Sequence, residues 1–331
     1  MRKFSKFIML GATIMTFISC GGGAAKSADA QSDCASKECC LPIGVQLYSV
    51  RDAMASDFKG TLQKIKAMGY DGVEFAGLFG NTPEQVKAMC AEIGLNPISA
   101  HVPLADMLAD VDKVIADYKA IGCKYIVVPY VTEERRPGGE LFMQMVEEIR
   151  AIGQKAKDAG LVLLYHNHDF EFKKLESGEA GLDYLYSAIP ADLLQTELDE
   201  CWVKYAGNDP VDYLLKYTGR APVVHFKDYY VEGEQVGDPY ALIGLNEDEK
   251  KTNTAFEFRP LGCGVQDVPA LMKAAKEAGS EWIIVEQDQP SMGKSPMECI
   301  AMSMEYIKKI RENKPCASET EHKHENCNHK H

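Results

Sequence analysis

Imidazole and carboxylate side chains recur at the ends of apolar runs in the central part of this 331-residue chain. The histidines that precede the C-terminal tail are His101, His166, His168 and His225. Other polar side chains at the ends of such runs are Glu74, Glu171, Glu197, Asp199, Lys227, Asp228 and Glu286. Carboxylate and imidazole donors together suit a divalent cation of intermediate hardness. If the fold gathers them, the sequence predicts a site for a divalent ion, namely Mn²⁺, Mg²⁺, Co²⁺ or Zn²⁺.

The apolar runs that carry these side chains have the length of buried strands. They are IGVQLY (43–48), GVEF (72–75), NPISAH (96–101), YIVVP (125–129), LVLLYHNH (161–168), LLQTELD (193–199), PVVHFKD (222–228) and EWIIVEQD (281–288). Helical patterns such as Met145, Ile149 and Ile152 lie between them, and glycines such as Gly69 stand just before the next strand. No strand is followed by the glycine fingerprint of a dinucleotide-binding open sheet. The alternation predicts a single α/β domain over 42–313, a (β/α)8 TIM barrel.

A barrel of this kind builds its active site at the C-terminal ends of its strands. The imidazoles and carboxylates would therefore meet at one mouth. The segment between the seventh and eighth strands, from Tyr229 to about Val265, is long, polar and rich in glycine and aromatic residues. We expect it to fold over this mouth as a substrate loop.

Eight motifs in this order resemble those of the xylose isomerase-like TIM barrel superfamily, in particular its sugar phosphate isomerase/epimerase branch. They are GVQLYSVRD (44–52), GYDGVEFAG (69–77), SAHV (99–102), YHNHDFEF (165–172), LDECW (198–202), VHFKD (224–228), PLGCGVQD (260–267) and VEQD (285–288). The resemblance covers residues 42–312. It implies one metal ion, held by a Glu after strand five, an Asp after strand six, a His after strand seven and a Glu after strand eight.

By position, the resemblance implies that the metal ligands are Glu171, Asp199, His225 and Glu286. Many relatives carry the strand-five Glu where this chain has His166, whereas Glu171 lies five residues later. Either Glu171 reaches the ion from the loop, or His166 is the ligand. A third carboxylate would keep the site hard, which favours Glu171.

The chemistry that the resemblance implies is abstraction of a proton next to a carbonyl or carbinol carbon of a sugar. His168 is expected to be the base, because an imidazole titrates near the working pH. Glu286 or Glu171 would share this role. Lys227 is expected either to stabilise an enolate oxygen or to form an ion pair with a neighbouring carboxylate.

Substrate hydroxyls are expected to contact His101, His166 and Glu74. For Glu74, a structural pairing with Arg51 is the alternative. The loop PLGCGVQD departs from the relatives, which commonly have an acidic residue between the two glycines where this chain has Cys263. The departure argues against a carboxylate role for this loop.

The resemblance implies a metal-dependent sugar isomerase or epimerase. A lyase of the same fold that cleaves 3-keto-glycosides by β-elimination is the alternative. A non-catalytic lipoprotein that binds carbohydrate or metal is the alternative from another class. No Lys- and Arg-rich phosphate cradle is evident, so the expected substrate is a non-phosphorylated sugar or glycoside.

The acidic balance of the chain argues against a nucleic-acid partner. The formal net charge is −13, from 36 basic and 49 acidic side chains, whereas binding to phosphates requires clustered Lys and Arg. An apurinic endonuclease, which shares the superfamily, would also need more metal ligands. We expect a small-molecule partner, and homo-oligomerisation stays open.

The two ends of the chain differ in composition from the barrel. Residues 1–19 resemble a bacterial lipoprotein signal peptide, with a basic start, a short apolar core and a lipobox-like end before Cys20, the expected lipidation site. Residues 20–41 are an expected flexible tether. Residues 314–331, rich in His, Cys and Glu, are expected to be disordered with loose affinity for metals. These features predict an exported protein anchored by its lipid alone, on the periplasmic side.

Overall fold

Eight parallel strands form a barrel in the computed structural model, which describes residues 40–233 and 256–313. The barrel strands are β1 (Ile43–Gln46), β2 (Gly72–Phe75), β3 (Asn96–Ala100), β4 (Tyr125–Val128), β5 (Val162–His166), β6 (Gln195–Asp199), β7 (Val223–Phe226) and β10 (Trp282–Val285). They are hydrogen-bonded in the order β3-β2-β1-β10-β7-β6-β5-β4. A parallel bridge between His101 and Val127 brings β3 beside β4 and nearly closes the sheet. The predicted barrel is confirmed, and each predicted run contains one strand.

Helices connect the strands and present their apolar faces to the barrel. They are α1 (Arg51–Ser56), α2 (Phe58–Met68), α3 (Pro83–Ile93), α4 (Leu104–Ile121), α5 (Phe142–Asp158), α6 (Gly181–Ala188), α7 (Glu200–Tyr205), α8 (Pro210–Lys216), α9 (Val268–Glu277) and α10 (Pro296–Glu312). In α5, Met145, Ile149 and Ile152 are buried at helical spacing. Gly69 ends α2 at φ 104°, a left-handed conformation that favours glycine because it has no Cβ.

The inner face of the barrel changes from apolar to polar along the strands. Its apolar floor is a cluster of buried side chains, namely Ile98, Tyr125, Val127, Leu164, Val223 and Ile284. Because side chains alternate between the two faces of a strand, Leu164 is followed on the same face by His166, and Val223 by His225. The polar residues of the mouth therefore rest on a packed apolar layer.

Two further strands, β8 (Asp228–Val231) and β9 (Phe256–Arg259), form an antiparallel pair after β7. The sequence predicted a polar loop here, and both ends of that segment are instead strand. Phe256 and Phe258 are buried, whereas Glu257 and Arg259 are partly exposed. This period of two is typical of a strand with one covered face. The expected substrate loop between the two strands lies in residues 234–255, outside the described residues.

Several features predicted for the ends of the chain also lie outside the described residues. They are the signal peptide, lipidation at Cys20, most of the tether and the His-rich tail, and they stay predictions together with the domain limits. Within residues 40–233 and 256–313, no helix combines the length and the apolar character that crossing a bilayer would require.

Candidate metal centre

Four side chains at the C-terminal ends of neighbouring strands converge inside the barrel. They are His166 on β5, Asp199 on β6, His225 on β7 and Glu286 directly after β10. Each offers one ligand atom, and these atoms all lie within 4.8 Å of one another. His166 Nε2 is 3.5 Å from Asp199 Oδ2, and His225 Nδ1 is 3.2 Å from Glu286 Oε2. The cluster thus combines three of the ligands implied by the resemblance with the strand-five alternative.

The chemistry of this donor set fits a divalent cation. All four residues are buried, and Asp199 Oδ2 accepts no hydrogen bond from the described part of the chain. A buried acceptor that receives no hydrogen bond costs about 1–3 kcal/mol. Burial also raises the pKa of Asp199 to about 7, so the protein alone stabilises this carboxylate poorly. Two imidazoles and two carboxylates are compatible with a divalent metal ion, which would complete these contacts.

Asn167 fixes the ends of β5 and β6 beside each other. Its Oδ1 accepts a hydrogen bond from Asp199 N at 3.0 Å, and its Nδ2 donates to the Asp199 carbonyl at 3.2 Å. Asp199 in turn caps α7, because its Oδ1 accepts from Trp202 N at 3.2 Å. These contacts leave Oδ2 for the cluster. Sequence reasoning missed the role of Asn167, although its place between two histidines at a strand end was a usable signal.

Glu171 is held away from the cluster. It lies in a short 3₁₀ helix, where its oxygens accept hydrogen bonds from Tyr165 Oη at 2.7 Å and from His168 N at 2.8 Å. Side chains alternate along β5, so Tyr165 points to the face opposite His166, and Glu171 follows it there. Burial raises the pKa of Glu171 to about 8. The structure therefore places His166 in the cluster and keeps Glu171, the residue favoured from the sequence, out of it.

Glu74 lies beneath the cluster rather than at the mouth. Its Oε1 accepts from Gln46 Nε2 at 2.6 Å and lies 2.8 Å from His225 Nε2, while its Oε2 accepts from Ser99 Oγ at 2.6 Å. The residue has no exposed surface. Neither expected role fits this position, because a substrate hydroxyl cannot reach Glu74 and Arg51 donates to backbone carbonyl groups instead.

His101 lies between two buried carboxylates. Its Nε2 is 2.6 Å from Glu197 Oε2 and 3.1 Å from Glu74 Oε1. Burial lowers the pKa of His101, but the charges of the two carboxylates raise it to about 10. The imidazole is therefore a cation, and its ring stacks on that of His225 with centroids 5.3 Å apart. The geometry makes His101 a partner of the carboxylates and gives no support to the expected contact with substrate hydroxyls.

Lys227 forms the ion pairs that were one of its two expected roles. Its Nζ is 2.5 Å from Asp288 Oδ2, 3.0 Å from Glu286 Oε2 and 3.7 Å from Asp199 Oδ2. The ammonium also lies 5.3 Å from the centre of the Trp202 ring. Burial lowers the pKa of Lys227, yet the surrounding carboxylates raise it well above its usual value. A charged lysine therefore lies beside the candidate metal centre.

His168 lies next to the cluster in aromatic surroundings. Its ring centroid is 5.3 Å from that of His166, and the ring stacks on Phe170 at 5.3 Å with an interplanar angle of 5°. Burial, followed by the charge of Lys227, lowers the pKa of His168 well below its usual value. The imidazole is therefore neutral, and its pKa is not near the working pH as the sequence predicted.

The loop PLGCGVQD folds around the carboxylate of Asp228. Asp228 Oδ2 accepts hydrogen bonds from Gly262 N at 3.1 Å and Gly264 N at 3.0 Å. Its Oδ1 accepts from Gln266 N at 3.1 Å and from Tyr229 N at 2.9 Å. A Cβ on Gly264 would lie 2.2 Å from Asp228 Oδ1, so glycine is required at this close approach. Asp228 therefore anchors the loop to the end of β7.

The barrel agrees with a known family. The profile of the xylose isomerase-like TIM barrel family matches residues 62–310, which is most of the chain. The chain therefore belongs to the xylose isomerase-like TIM barrel family.

Curated relatives of the chain include several inosose dehydratases. That of Geobacillus kaustophilus is 24% identical over 276 residues, which cover 75% of this chain and 86% of the relative. That of Clostridium botulinum is 28% identical over 165 residues, which cover 48% of this chain and 51% of the relative. The chain thus spans most of one of these proteins and about half of the other.

Solved structures share the fold at low sequence identity. A sugar phosphate isomerase/epimerase from Parabacteroides distasonis has a TM-score of 0.64 and 21% identity, covering 81% of this chain and 98% of that one. The IOLI protein with a bound zinc atom has a TM-score of 0.60 and 16% identity, covering 82% of this chain and 98% of that one. These likenesses establish the barrel architecture.

Proposed function

We propose that this protein is a divalent-metal-dependent enzyme that abstracts a proton next to a carbonyl carbon of a non-phosphorylated sugar or sugar derivative. The observation that carries the proposal is the convergence of His166, Asp199, His225 and Glu286 beside the neutral imidazole of His168. Membership in the family and the inosose dehydratases among the relatives support a sugar-like substrate.

A divalent ion bound at the cluster would polarise the carbonyl oxygen and acidify the adjacent C–H bond. His168 accepts the proton at a ring nitrogen, since burial keeps this imidazole neutral. Lys227 keeps its own proton and places a positive charge beside the oxygen that becomes negative. Phe170 and Trp202, whose rings surround His168, exclude water from the proton acceptor.

We propose β-elimination as the overall reaction. After the C–H bond breaks, its electron pair forms a C=C bond and the C–O bond at the next carbon breaks. The leaving oxygen takes a proton from His168, so water or an alcohol departs and the base is restored. The names of the relatives support a dehydratase. An isomerase or epimerase would share the first step and return the proton to carbon.

The charge of the mouth supports a substrate without a phosphate group. The ammonium of Lys227 is already paired with Asp199, Glu286 and Asp288. Glu74 and Glu197 add two further carboxylates beneath the cluster, and the cation of His101 between them offsets one of these charges. A phosphate placed here would face an excess of negative charge.

The test is incubation of the manganese-loaded protein in D₂O with an inosose, 3-keto-glycosides, free ketoses and aldoses. Elimination predicts loss of water or alcohol and a new ultraviolet absorbance from the unsaturated ketone. Isomerisation or epimerisation predicts deuterium at carbon without loss of the oxygen substituent. The His225→Ala variant is the control, because it removes one metal ligand. Absence of both exchange and elimination across the panel would contradict the proposal.

We also propose that the protein is exported and carries a lipid on Cys20, because the N-terminal sequence has the composition of a lipoprotein signal. Expression of the wild type and of Cys20→Ala, followed by separation of membrane and soluble fractions, tests this. A wild-type protein recovered only in the soluble fraction would contradict it.

A further inference from the structure

The polar interior of the barrel has two layers joined by two imidazoles. The upper layer holds the carboxylates of Asp199 and Glu286, which belong to the candidate metal centre. The lower layer holds Glu74 and Glu197, which have no exposed surface. His166 and His225 lie between the layers, and each ring directs one nitrogen to each of them.

The two rings have opposite orientations. His166 directs Nε2 toward Asp199 Oδ2 at 3.5 Å and Nδ1 toward Glu197 Oε2 at 3.1 Å. His225 directs Nδ1 toward Glu286 Oε2 at 3.2 Å and Nε2 toward Glu74 Oε1 at 2.8 Å. A neutral imidazole has one N–H and one lone pair, so the nitrogen that donates below determines which nitrogen can bind a metal above.

We infer that Glu197 and Glu74 are positioning residues of the metal centre. Glu197 accepts the N–H of His166 Nδ1, and Glu74 accepts the N–H of His225 Nε2. These bonds fix the two rings in opposite tautomers, so His166 Nε2 and His225 Nδ1 are presented to one ion. The inference rests on the proposed metal centre. A carboxylate behind a ligand imidazole orients the ring and increases its basicity, and its loss typically lowers metal affinity about 10–100-fold.

The lower layer is well suited to this role. Gln46 Nε2 and Ser99 Oγ donate to Glu74 at 2.6 Å each and hold its carboxylate in place. His101 Nε2, 2.6 Å from Glu197 Oε2, holds the second carboxylate. Neither carboxylate therefore relies on the ligand imidazoles for its orientation.

A second ion in the lower layer is the competing interpretation, because His101, His166, Glu197 and His225 also bring ligand atoms within 4.8 Å of one another. This second group shares both bridging imidazoles with the first. If both sites were filled, each ring would have to lose its N–H and coordinate through both nitrogens. With a single ion bound, His166 and His225 are neutral and each keeps one N–H. These N–H groups account for the short distances to Glu197 and Glu74.

The experiment uses Zn²⁺ and the full-length chain, with the tail histidines His322, His324, His329 and His331 replaced by Gln so that only the barrel imidazoles bind. Competition with a chromophoric chelator gives the number of sites and the Kd. Glu197→Gln keeps the shape of the side chain and is expected to weaken binding about 10–100-fold. Glu200→Gln is the matched control, since Glu200 is equally buried but forms no hydrogen bond with the imidazoles. Its Kd should remain that of the parent.

A second measurement needs no carboxylate variant and is therefore independent of folding defects. Long-range proton–nitrogen spectra of the histidine rings in the zinc-loaded parent protein show which nitrogen of each ring binds the ion. We expect N–H at Nδ1 of His166 and at Nε2 of His225.

The outcomes separate the two proposals. Failure of the parent protein to bind Zn²⁺ would overturn the metal centre itself. Binding of one ion with both rings coordinated through the same type of nitrogen, binding of two ions, or an unchanged Kd in Glu197→Gln would overturn the positioning role and leave the metal centre intact.

Discussion

At the scale of the residue, His166 and Glu171 differ in which groups surround their polar atoms. Glu171 is engaged by Tyr165 Oη and His168 N, so moving it into the cluster would break both hydrogen bonds. His166 needs no movement, because its Nε2 already lies 3.5 Å from Asp199 Oδ2. The barrel interior therefore favours the imidazole as the candidate strand-five ligand.

Substitution of these two residues should have opposite effects on bound metal. His166→Ala removes a ligand atom, and we expect its affinity to fall by more than the roughly 100-fold that loss of a supporting partner costs. Glu171→Gln keeps one acceptor for Tyr165 and should retain the metal of the wild type. Elemental analysis after dialysis against a metal buffer checks both. A metal-free Glu171→Gln protein with native circular dichroism would restore Glu171 as the ligand.

His168 is predicted to act on protons and not on the metal. His168→Gln should bind metal as the wild type does, and its turnover should fall by about two to four orders of magnitude, the usual contribution of a general base. The reason is that four ligands are already present without it. Turnover and bound metal are to be measured on the same preparation. An inactive and metal-free variant would place His168 among the ligands instead.

At the scale of the element, the segment after β7 is held by one buried side chain. Four backbone N–H groups donate to the carboxylate of Asp228, and the three that belong to the loop after β9 close this loop onto the barrel. Hydrogen bonds to a charged group are stronger than those between neutral groups. Gln266 Nε2 in this loop also donates to the Lys227 carbonyl at 3.4 Å, so the loop borders the candidate site.

Asp228→Ala is expected to lower the free energy of unfolding by about 2–4 kcal/mol. The reason is that four N–H groups lose an ionised acceptor, and only some of them can hydrogen-bond with water instead. Urea denaturation followed by circular dichroism measures this. The control is Asp267→Ala in the same loop, whose exposed carboxylate caps α9 through Ala270 N. Loss of that cap should cost only about 1 kcal/mol. Equal losses in the two variants would refute the anchoring role of Asp228.

At the scale of the whole molecule, the centre draws its ligands from strands β5, β6, β7 and β10, which are neighbours in the sheet. An ion bound at their ends would cross-link segments that are more than a hundred residues apart along the chain, from His166 to Glu286. Unfolding separates these ligands, so binding is coupled to stability.

Removal of metal should therefore lower the thermal stability of the protein. With free metal at 100 times its Kd, binding contributes about 2.7 kcal/mol, which corresponds to a rise in Tm of about 5–10 °C for a domain of this size. Differential scanning calorimetry with a chelator and with added Mn²⁺ or Zn²⁺ tests this. His225→Ala, which lacks one ligand, should show no such rise. A wild-type Tm that is independent of metal would contradict the prediction.

The eight barrel strands and the polar residues at their ends could be predicted from the sequence. Short apolar runs with glycine-terminated helices between them allow few folds other than a parallel barrel, and the alternation of side chains places His225 and Lys227 on one face. It did not predict β8 and β9, because their pairing joins segments separated by residues 234–255.

The depth of each polar residue in the barrel, and the neighbour that it contacts, could not be predicted from the sequence. Glu74 and His225 are 151 residues apart, yet His225 Nε2 lies 2.8 Å from Glu74 Oε1 beneath the metal centre. Strand tilt and stagger set this depth, and neither is encoded in the spacing within one strand. Which of His166 and Glu171 lies in the cluster also depends on tertiary structure, for the same reason. It depends on Tyr165 and Asp199, whose positions are fixed by the packing of neighbouring strands.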